Sequence, residues 1–406
     1  MAIDKNEHYK NEHYKLDTKC AKDIPSPDKT HSHIFPIHAT SAFTYASIDD
    51  SIDVFKGRSE GFVYSRYANP TVQAVENKLA SLETHGTDLT ASCILTSSGL
   101  SAISTMAMSF VTQGEAVLTQ ADLYGGTTEL LQKVLGKAGI EIITIDLNDL
   151  NQVESALKSN PKIKLIYLET PTNPTLKCVD IGAVSDLAKK HKVLTAIDNT
   201  FSTFYLQQPF NLGIDIVVYS TTKFLNGHGN SIAGAIILKE TDHRKRVWDV
   251  MKLMGTNCNA WDAWLLHNGL KTLAVRMDKH CSNALSLATH LESHAKVKKV
   301  NYPGLPSHST HQAAVKQMSQ FGGMLSFEID GDFQNAVDFM NKTRLCSIAA
   351  TLGNVDTLLL HPASSSHLNI PKEVRIASGI EDGLIRMSVG IENPDDLIAD
   401  IDQALG

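Results

Sequence analysis

Three apolar runs in this chain stop at residues that could do chemistry. Ile94-Leu95 runs into Thr96-Ser97-Ser98-Gly99-Leu100, Val193-Leu194-Thr195-Ala196-Ile197 ends in Asp198-Asn199-Thr200, and Ile216-Val217-Val218-Tyr219 ends in Ser220-Thr221-Thr222-Lys223. A lysine amine condenses with an aldehyde. A small-residue turn that opens a helix presents free N–H groups to a phosphate. A carboxylate keeps a ring nitrogen protonated, so that the ring can act as an electron sink. Each piece alone is weak, because a lysine after a strand is usually solvated and Ser-Ser-Gly is often only a loop. Occurring together, each beyond an apolar strand, they describe one ligand.

That ligand is pyridoxal 5'-phosphate (PLP). Lys223 would hold its aldehyde as a Schiff base. Ser98, Gly99 and Leu100 would hold its phosphate with Ser220 and Thr222, and Asp198 its pyridine nitrogen. Freed by the substrate amine, Lys223 could take the α-proton. It can do so near neutral pH only if its pKa is lowered, which burial beside positive charge favours.

The elements that must position these residues follow from the hydrophobic pattern. Leu89–Leu95, Ala116–Thr119, Ile140–Ile145, Ile163–Leu168, Val193–Ile197, Ile214–Tyr219 and Ala233–Leu238 read as strands. Helical patterns lie among them at Thr71–Leu82, Thr127–Ala138, Leu150–Leu157 and Asp180–His191. Such alternation predicts an α/β fold with a mostly parallel seven-stranded sheet covered on both faces, which is why its strands are nearly continuously apolar. Ligands on open sheets of this kind bind beyond the C-terminal strand ends. After about residue 255 a long helical stretch, Trp261 to about His294, leads into a smaller α+β region with strands near Met324–Glu328 and Ile385–Val389. The 406 residues exceed what one core supports. The division expected is an N-terminal arm (1–62, partly disordered and contacting a neighbouring subunit), a large PLP-binding domain (63–257) and a C-terminal α+β domain (258–406).

Composition narrows the partners. Lys plus Arg minus Asp plus Glu is 37 − 44 = −7, without long like-charge runs, which argues against nucleic acid and anionic membranes. No apolar run reaches the 18 or so residues of a membrane helix, and the N-terminus has no charged-then-apolar leader pattern. The six cysteines are scattered without a C-x-x-C pair, so reduced, mostly buried thiols in the cytoplasm are expected. Asn-Glu-His-Tyr-Lys occurs at 6–10 and again at 11–15; nothing nearby completes a ligand set, so it reads as a duplication, and no metal site is expected.

Longer segments carry a resemblance. Tyr64-Ser65-Arg66-Tyr67-Ala68-Asn69-Pro70-Thr71, Glu169-Thr170-Pro171-Thr172-Asn173-Pro174, Ser220 to His228, and Arg386-Met387-Ser388-Val389-Gly390-Ile391-Glu392 resemble the cysteine/methionine-metabolism (trans-sulfuration) family of PLP enzymes. The likeness runs from about residue 30 to the C-terminus. It implies a PLP-dependent transferase-like fold of the aspartate aminotransferase type (fold type I). It also implies that Tyr124 stacks on the cofactor ring and serves as acid/base at the leaving group. Tyr64 and Arg66 would reach the phosphate in a neighbouring subunit, and Asn173, Thr351 and Arg386 would hold the substrate, Arg386 by two parallel hydrogen bonds to its carboxylate. The implied assembly is a homotetramer, a dimer of dimers. The implied chemistry is γ-replacement or γ-elimination on a small amino acid, with a thiol or sulfide as possible second substrate.

Two departures bear on the member. Cystathionine-handling enzymes of the family usually carry a glutamate just before the S-L-G motif, to meet the substrate's distal ammonium. Here the segment is Ala349-Ala350-Thr351-Leu352-Gly353, and Ala350 offers no charge. Bacterial methionine γ-lyases commonly place a cysteine two residues after the stacking tyrosine, where this chain has Gly126. The wording around Tyr64 sits best with O-acetyl- or O-succinylhomoserine sulfhydrylases, by a slight margin over methionine γ-lyase. Cystathionine γ-synthase or γ-lyase is the alternative, and a PLP aminotransferase a remote one.

Overall fold

The computed structural model describes residues 14–22, 24, 32–368 and 371–406. The first copy of the Asn-Glu-His-Tyr-Lys repeat, most of the second, and the greater part of the arm before residue 32 lie outside the described residues.

The large sheet consists of β1 (Ser92–Thr96), β2 (Ala116–Thr119), β3 (Glu141–Thr144), β4 (Ile163–Glu169), β5 (Leu194–Asp198), β6 (Ile216–Ser220) and β7 (Gly234–Leu238), in the order β1-β7-β6-β5-β4-β2-β3. All neighbours are parallel except β7, which runs antiparallel to both β1 and β6. Insertion of that reversed strand leaves β1 pointing the same way as β4, β5 and β6. Their C-terminal ends at Thr96, Glu169, Asp198 and Ser220 therefore face one side of the sheet. The fold is the α/β arrangement that the apolar pattern predicts, with seven strands, mostly parallel. Its strands are buried along nearly their whole length because helices cover both faces.

Helix starts follow local chemistry. Asn69 caps the Pro70–Glu83 helix, its side chain accepting from Thr71 N, and Pro70 fills the first position, where no N–H is needed. Ser98 caps the Gly99–Phe110 helix by accepting from Ser101 N.

Two helices depart from expectation. The stretch from Trp261 is two helices, Ala260–Lys271 and Leu273–Glu292, interrupted at Thr272 (φ −108, ψ 6). Just before the break the first helix packs closely on the lysine-bearing turn: a side chain at Gly269 would meet the Asn226 backbone at 2.2 Å. Arg276 Nη2 then spans the break to the Gly269 carbonyl (2.8 Å), while its Nε meets Thr272 Oγ1 (3.1 Å). The pattern at Thr127–Ala138 forms a short α-helix, Gly125–Glu129, that widens into a π-helical turn at Leu130–Leu135.

The C-terminal region carries a second sheet of β8 (Val297–Asn301), β9 (Met324–Ile329), β10 (Ser347–Ile348), β11 (Leu358–Leu360) and β12 (Leu384–Ser388), ordered β10-β11-β12-β9-β8. The Leu273–Glu292 helix packs on β8, β9 and the C-terminal Pro394–Leu405 helix.

Candidate active site

At the strand ends of the large sheet lies a cavity of about 380 Å³, within the usual range for small-molecule sites. Ser98, Gly99, Leu100, Ser220 and Thr222, the set predicted for a phosphate, line it, and so do Lys223, Asp198, Tyr124, Asn173, Thr351 and Arg386. Tyr64 and Arg66 do not. Arg66 packs over the Tyr64 and Tyr67 rings (5.6 and 5.0 Å), and its Nη1 donates to the Lys252 carbonyl.

The turn predicted to cradle a phosphate depends on one absent methyl. A Cβ at Gly99 would come 2.7 Å from Ser220 Cβ, so only glycine lets this helix N-terminus sit against the end of β6. Ser220 N donates to Thr200 Oγ1 at 2.8 Å. The Thr222 hydroxyl donates to the Ala233 carbonyl (3.2 Å) and accepts from Ala233 N (3.1 Å), tying the lysine-bearing turn to the start of β7.

Lys223 Nζ donates to Thr351 Oγ1 at 3.0 Å, a contact from the large sheet's turn to the C-terminal region. Gly353 makes that approach possible: its φ is +81, and a Cβ there would lie 2.6 Å from Phe224 N. Burial, with the Arg386 guanidinium beside it, lowers the Lys223 amine to about 8. The turn's far side is held by Arg276, whose Nη1 donates to the Phe224 carbonyl at 2.7 Å.

Asp198 ends β5, and its Oδ1 accepts from Thr200 N at 3.0 Å. Burial pushes its carboxyl above the ordinary range, against that hydrogen bonding. A buried carboxylate without a cation is costly, and a protonated ring nitrogen is a cation of the kind it lacks. Arg386, on β12, donates through Nη2 to the Thr351 carbonyl (2.8 Å) and through Nη1 to Asn173 Oδ1 (3.4 Å). Its buried Nε has no partner among the described residues, a donor available to an incoming carboxylate. Cradle, amine, carboxyl and free guanidinium donor together fit PLP and an amino acid.

Tyr124 lies at the mouth, 45% exposed. Its ring crosses Gly126: a Cβ there would stand 2.5 Å from Tyr124 Cε1. The glycine that departs from the methionine γ-lyase pattern thus makes room for this ring position. Ala350 also lines the cavity, whose lining carboxyls among the described residues are Asp198 and Glu169. Sequence reasoning passed over Glu169, although it ends β4 just as Asp198 ends β5.

Among the described residues no His/Cys/Asp/Glu group could hold a metal ion, and no helix is long and apolar enough to cross a membrane. All six cysteines are buried and unpaired.

A doubly covered, mostly parallel sheet with a lysine, an aspartate and a helix N-terminus at its strand ends defines a fold type I PLP enzyme. Comparison with known proteins is specific: residues 17–406 match the Cys/Met metabolism PLP-dependent enzyme family, and the chain belongs to it. It is 42% identical over 372 residues to an L-methionine gamma-lyase of Fusobacterium nucleatum subsp. polymorphum, covering 91% of this chain and 92% of that protein. It is also 42% identical to a cystathionine beta-lyase of Lactococcus lactis subsp. cremoris, covering 94% and 96%. The structure of cystathionine gamma-lyase from Lactobacillus plantarum, complexed with L-serine, superposes with a TM-score of 0.88 at 37% identity, covering 96% and 98%.

Proposed function

We propose that this enzyme eliminates or replaces the γ-substituent of a sulfur amino acid or homoserine ester, and prefers a substituent with an uncharged far end. The observation that carries the preference is Ala350 on the cavity wall, with both lining carboxyls at strand ends of the large sheet. The relatives named L-methionine gamma-lyase support elimination from methionine-like substrates. Cystathionine remains the second reading, favoured by the Lactococcus relative.

Bound PLP supplies an aldehyde for amines and a ring that accepts the electron pair released at the substrate α-carbon. Lys223, Ser98, Gly99, Leu100, Ser220, Thr222 and Asp198 would hold it. Arg386 and Asn173 orient the substrate carboxylate, with Thr351 beside them. Lys223 Nζ takes the α-proton, because an amine lowered to about 8 is partly neutral at physiological pH. Tyr124 gives a proton to the departing γ-sulfur or γ-oxygen.

We further assign residues 63–257 to the cofactor domain, 258–406 to the C-terminal domain and 1–62 to the arm. A dimer that shares Tyr64 and Arg66 across its sites, paired into a tetramer, is our reading of the assembly. Unpaired buried thiols support a cytoplasmic setting. Incubation with methionine, O-acetylhomoserine, O-succinylhomoserine and cystathionine, with and without sulfide, tests the reaction. A 2-oxo acid with ammonia, or a replaced side chain, supports it; transfer of the amino group to a second keto acid would make the enzyme an aminotransferase.

A further inference from the structure

Glu169 lines the cavity and has no part in the mechanism above. It ends β4 in register with Asp198 and is 5% exposed. Its Oε2 accepts the main-chain N–H of Tyr124 at 2.9 Å, and the main-chain N–H of Asn173 also donates to the carboxyl. Gln120 fixes the residue itself, with Nε2 to the Glu169 carbonyl (3.0 Å) and Oε1 accepting from Glu169 N (3.2 Å). Tyr124 begins the Gly125–Glu129 helix, and its own side chain makes no capping hydrogen bond. Asn173 in turn accepts from Arg386.

We propose that Glu169 is a positioning residue: one buried carboxyl ties the Tyr124 loop to the Asn173 loop and fixes the leaving-group acid relative to the substrate's carboxylate anchor. The inference rests on Tyr124 being that acid. Burial, then the neighbouring Asp198, push the Glu169 carboxyl well above its usual range, so a neutral amide is a fair mimic of it. Glutamine keeps an oxygen that can accept from Tyr124 N; alanine does not.

The test uses holoenzyme carrying Glu169→Ala, Glu169→Gln, Tyr124→Phe and the Ala/Phe double change. Besides kcat and KM it reads the visible circular dichroism of bound PLP, an achiral group whose signal comes from its asymmetric surroundings. We expect Glu169→Ala to lower kcat about a hundredfold, as misplacement by an ångström can, with a smaller change in KM and an altered dichroic band. Glu169→Gln should recover at least tenfold of that loss. The double variant should lose clearly less than the product of the two single losses, since Tyr124→Phe has already removed the acid that Glu169 positions while the tie to Asn173 remains to be lost. Should alanine fail to fold, Glu169→Asp withdraws the acceptor by one methylene and should lower kcat with the same dichroic change. Additive losses, or a normal kcat and dichroic band in Glu169→Ala or Glu169→Asp while Tyr124→Phe is slow, overturn the inference alone. Wild-type kcat in Tyr124→Phe overturns the acid assigned to Tyr124 and the inference with it.

Discussion

Lys223 owes its low pKa first to burial and then to Arg386, and both causes can be read from the rate at which apoprotein recaptures PLP. Only the neutral amine condenses with the aldehyde, so the rate should rise with pH to a midpoint near 8. Replacing Arg386 with Met removes a like charge and should move the midpoint upward. A wild-type midpoint at the ordinary lysine value, about 10.5, would refute the assignment. The proposed specificity also turns on one side chain. Ala350→Glu should shift the cystathionine-to-methionine ratio of kcat/KM towards cystathionine by roughly ten- to thirtyfold, about 1.4–2 kcal/mol. An unchanged ratio would place recognition of the distal ammonium elsewhere. Lys223, Asp198 and the Ser98-Gly99-Leu100 turn were legible in the sequence because each closes an apolar run, whereas Tyr124, Asn173, Thr351 and Arg386 followed only from the family resemblance. Glu169 carries the same signal, yet inside Glu169-Thr170-Pro171-Thr172-Asn173-Pro174 attention goes to Asn173. Only register shows that Glu169 lies beside Asp198.

Elements hide what periodicity cannot encode. The apolar pattern runs unbroken through Thr272, so two helices read as one; the break is bridged by Arg276, which bonds Thr272 and the Gly269 carbonyl, and periodicity does not show it. The Pro70–Glu83 helix was legible from its spacing, but not the cost at its last residue. Glu83 Oε2 accepts the Tyr219 hydroxyl at 2.6 Å, and its Oε1 has no partner among the described residues. Burial raises its carboxyl to about 8. Because the folded pKa is the higher one, this group's contribution is fully present below about pH 4.5 and is lost as pH rises through about 8. Glu83→Gln does not titrate and still accepts from Tyr219. Its stability relative to wild type should therefore grow between pH 5 and pH 9, by about 1–3 kcal/mol. Glu76, raised to about 7 by burial, is common to both proteins and cancels in the difference. Chemical denaturation at the two pH values measures it, and a pH-independent difference would contradict the assignment.

At the scale of the whole molecule, one chain leaves large apolar side chains in water: Ile48 is 74% exposed, Leu253 79% and Ile232 65%. A second copy is the partner proposed for such surfaces, and the proposed sharing of Tyr64 and Arg66 across the sites makes it testable. Arg66→Ala and Lys223→Ala should each be inactive alone. Mixed in equal amounts and reassembled, they should regain about a quarter of wild-type activity, because half of the dimers then carry one intact site of two. No recovery despite exchange of subunits would mean that each chain builds its site alone. The reversed strand β7 has a consequence for synthesis on the ribosome. Edge strand β1 is joined to the rest of its sheet through β7, and a Cβ at Gly234 would lie 2.2 Å from the Ser98 carbonyl. The cradle at Ser98 is therefore completed by a strand that ends 140 residues later, at Leu238. Nascent chains that have not yet exposed residue 238 lack the wall against which the phosphate turn closes. On the proposed phosphate site, cofactor capture is therefore expected only after β7 has emerged and paired with β1.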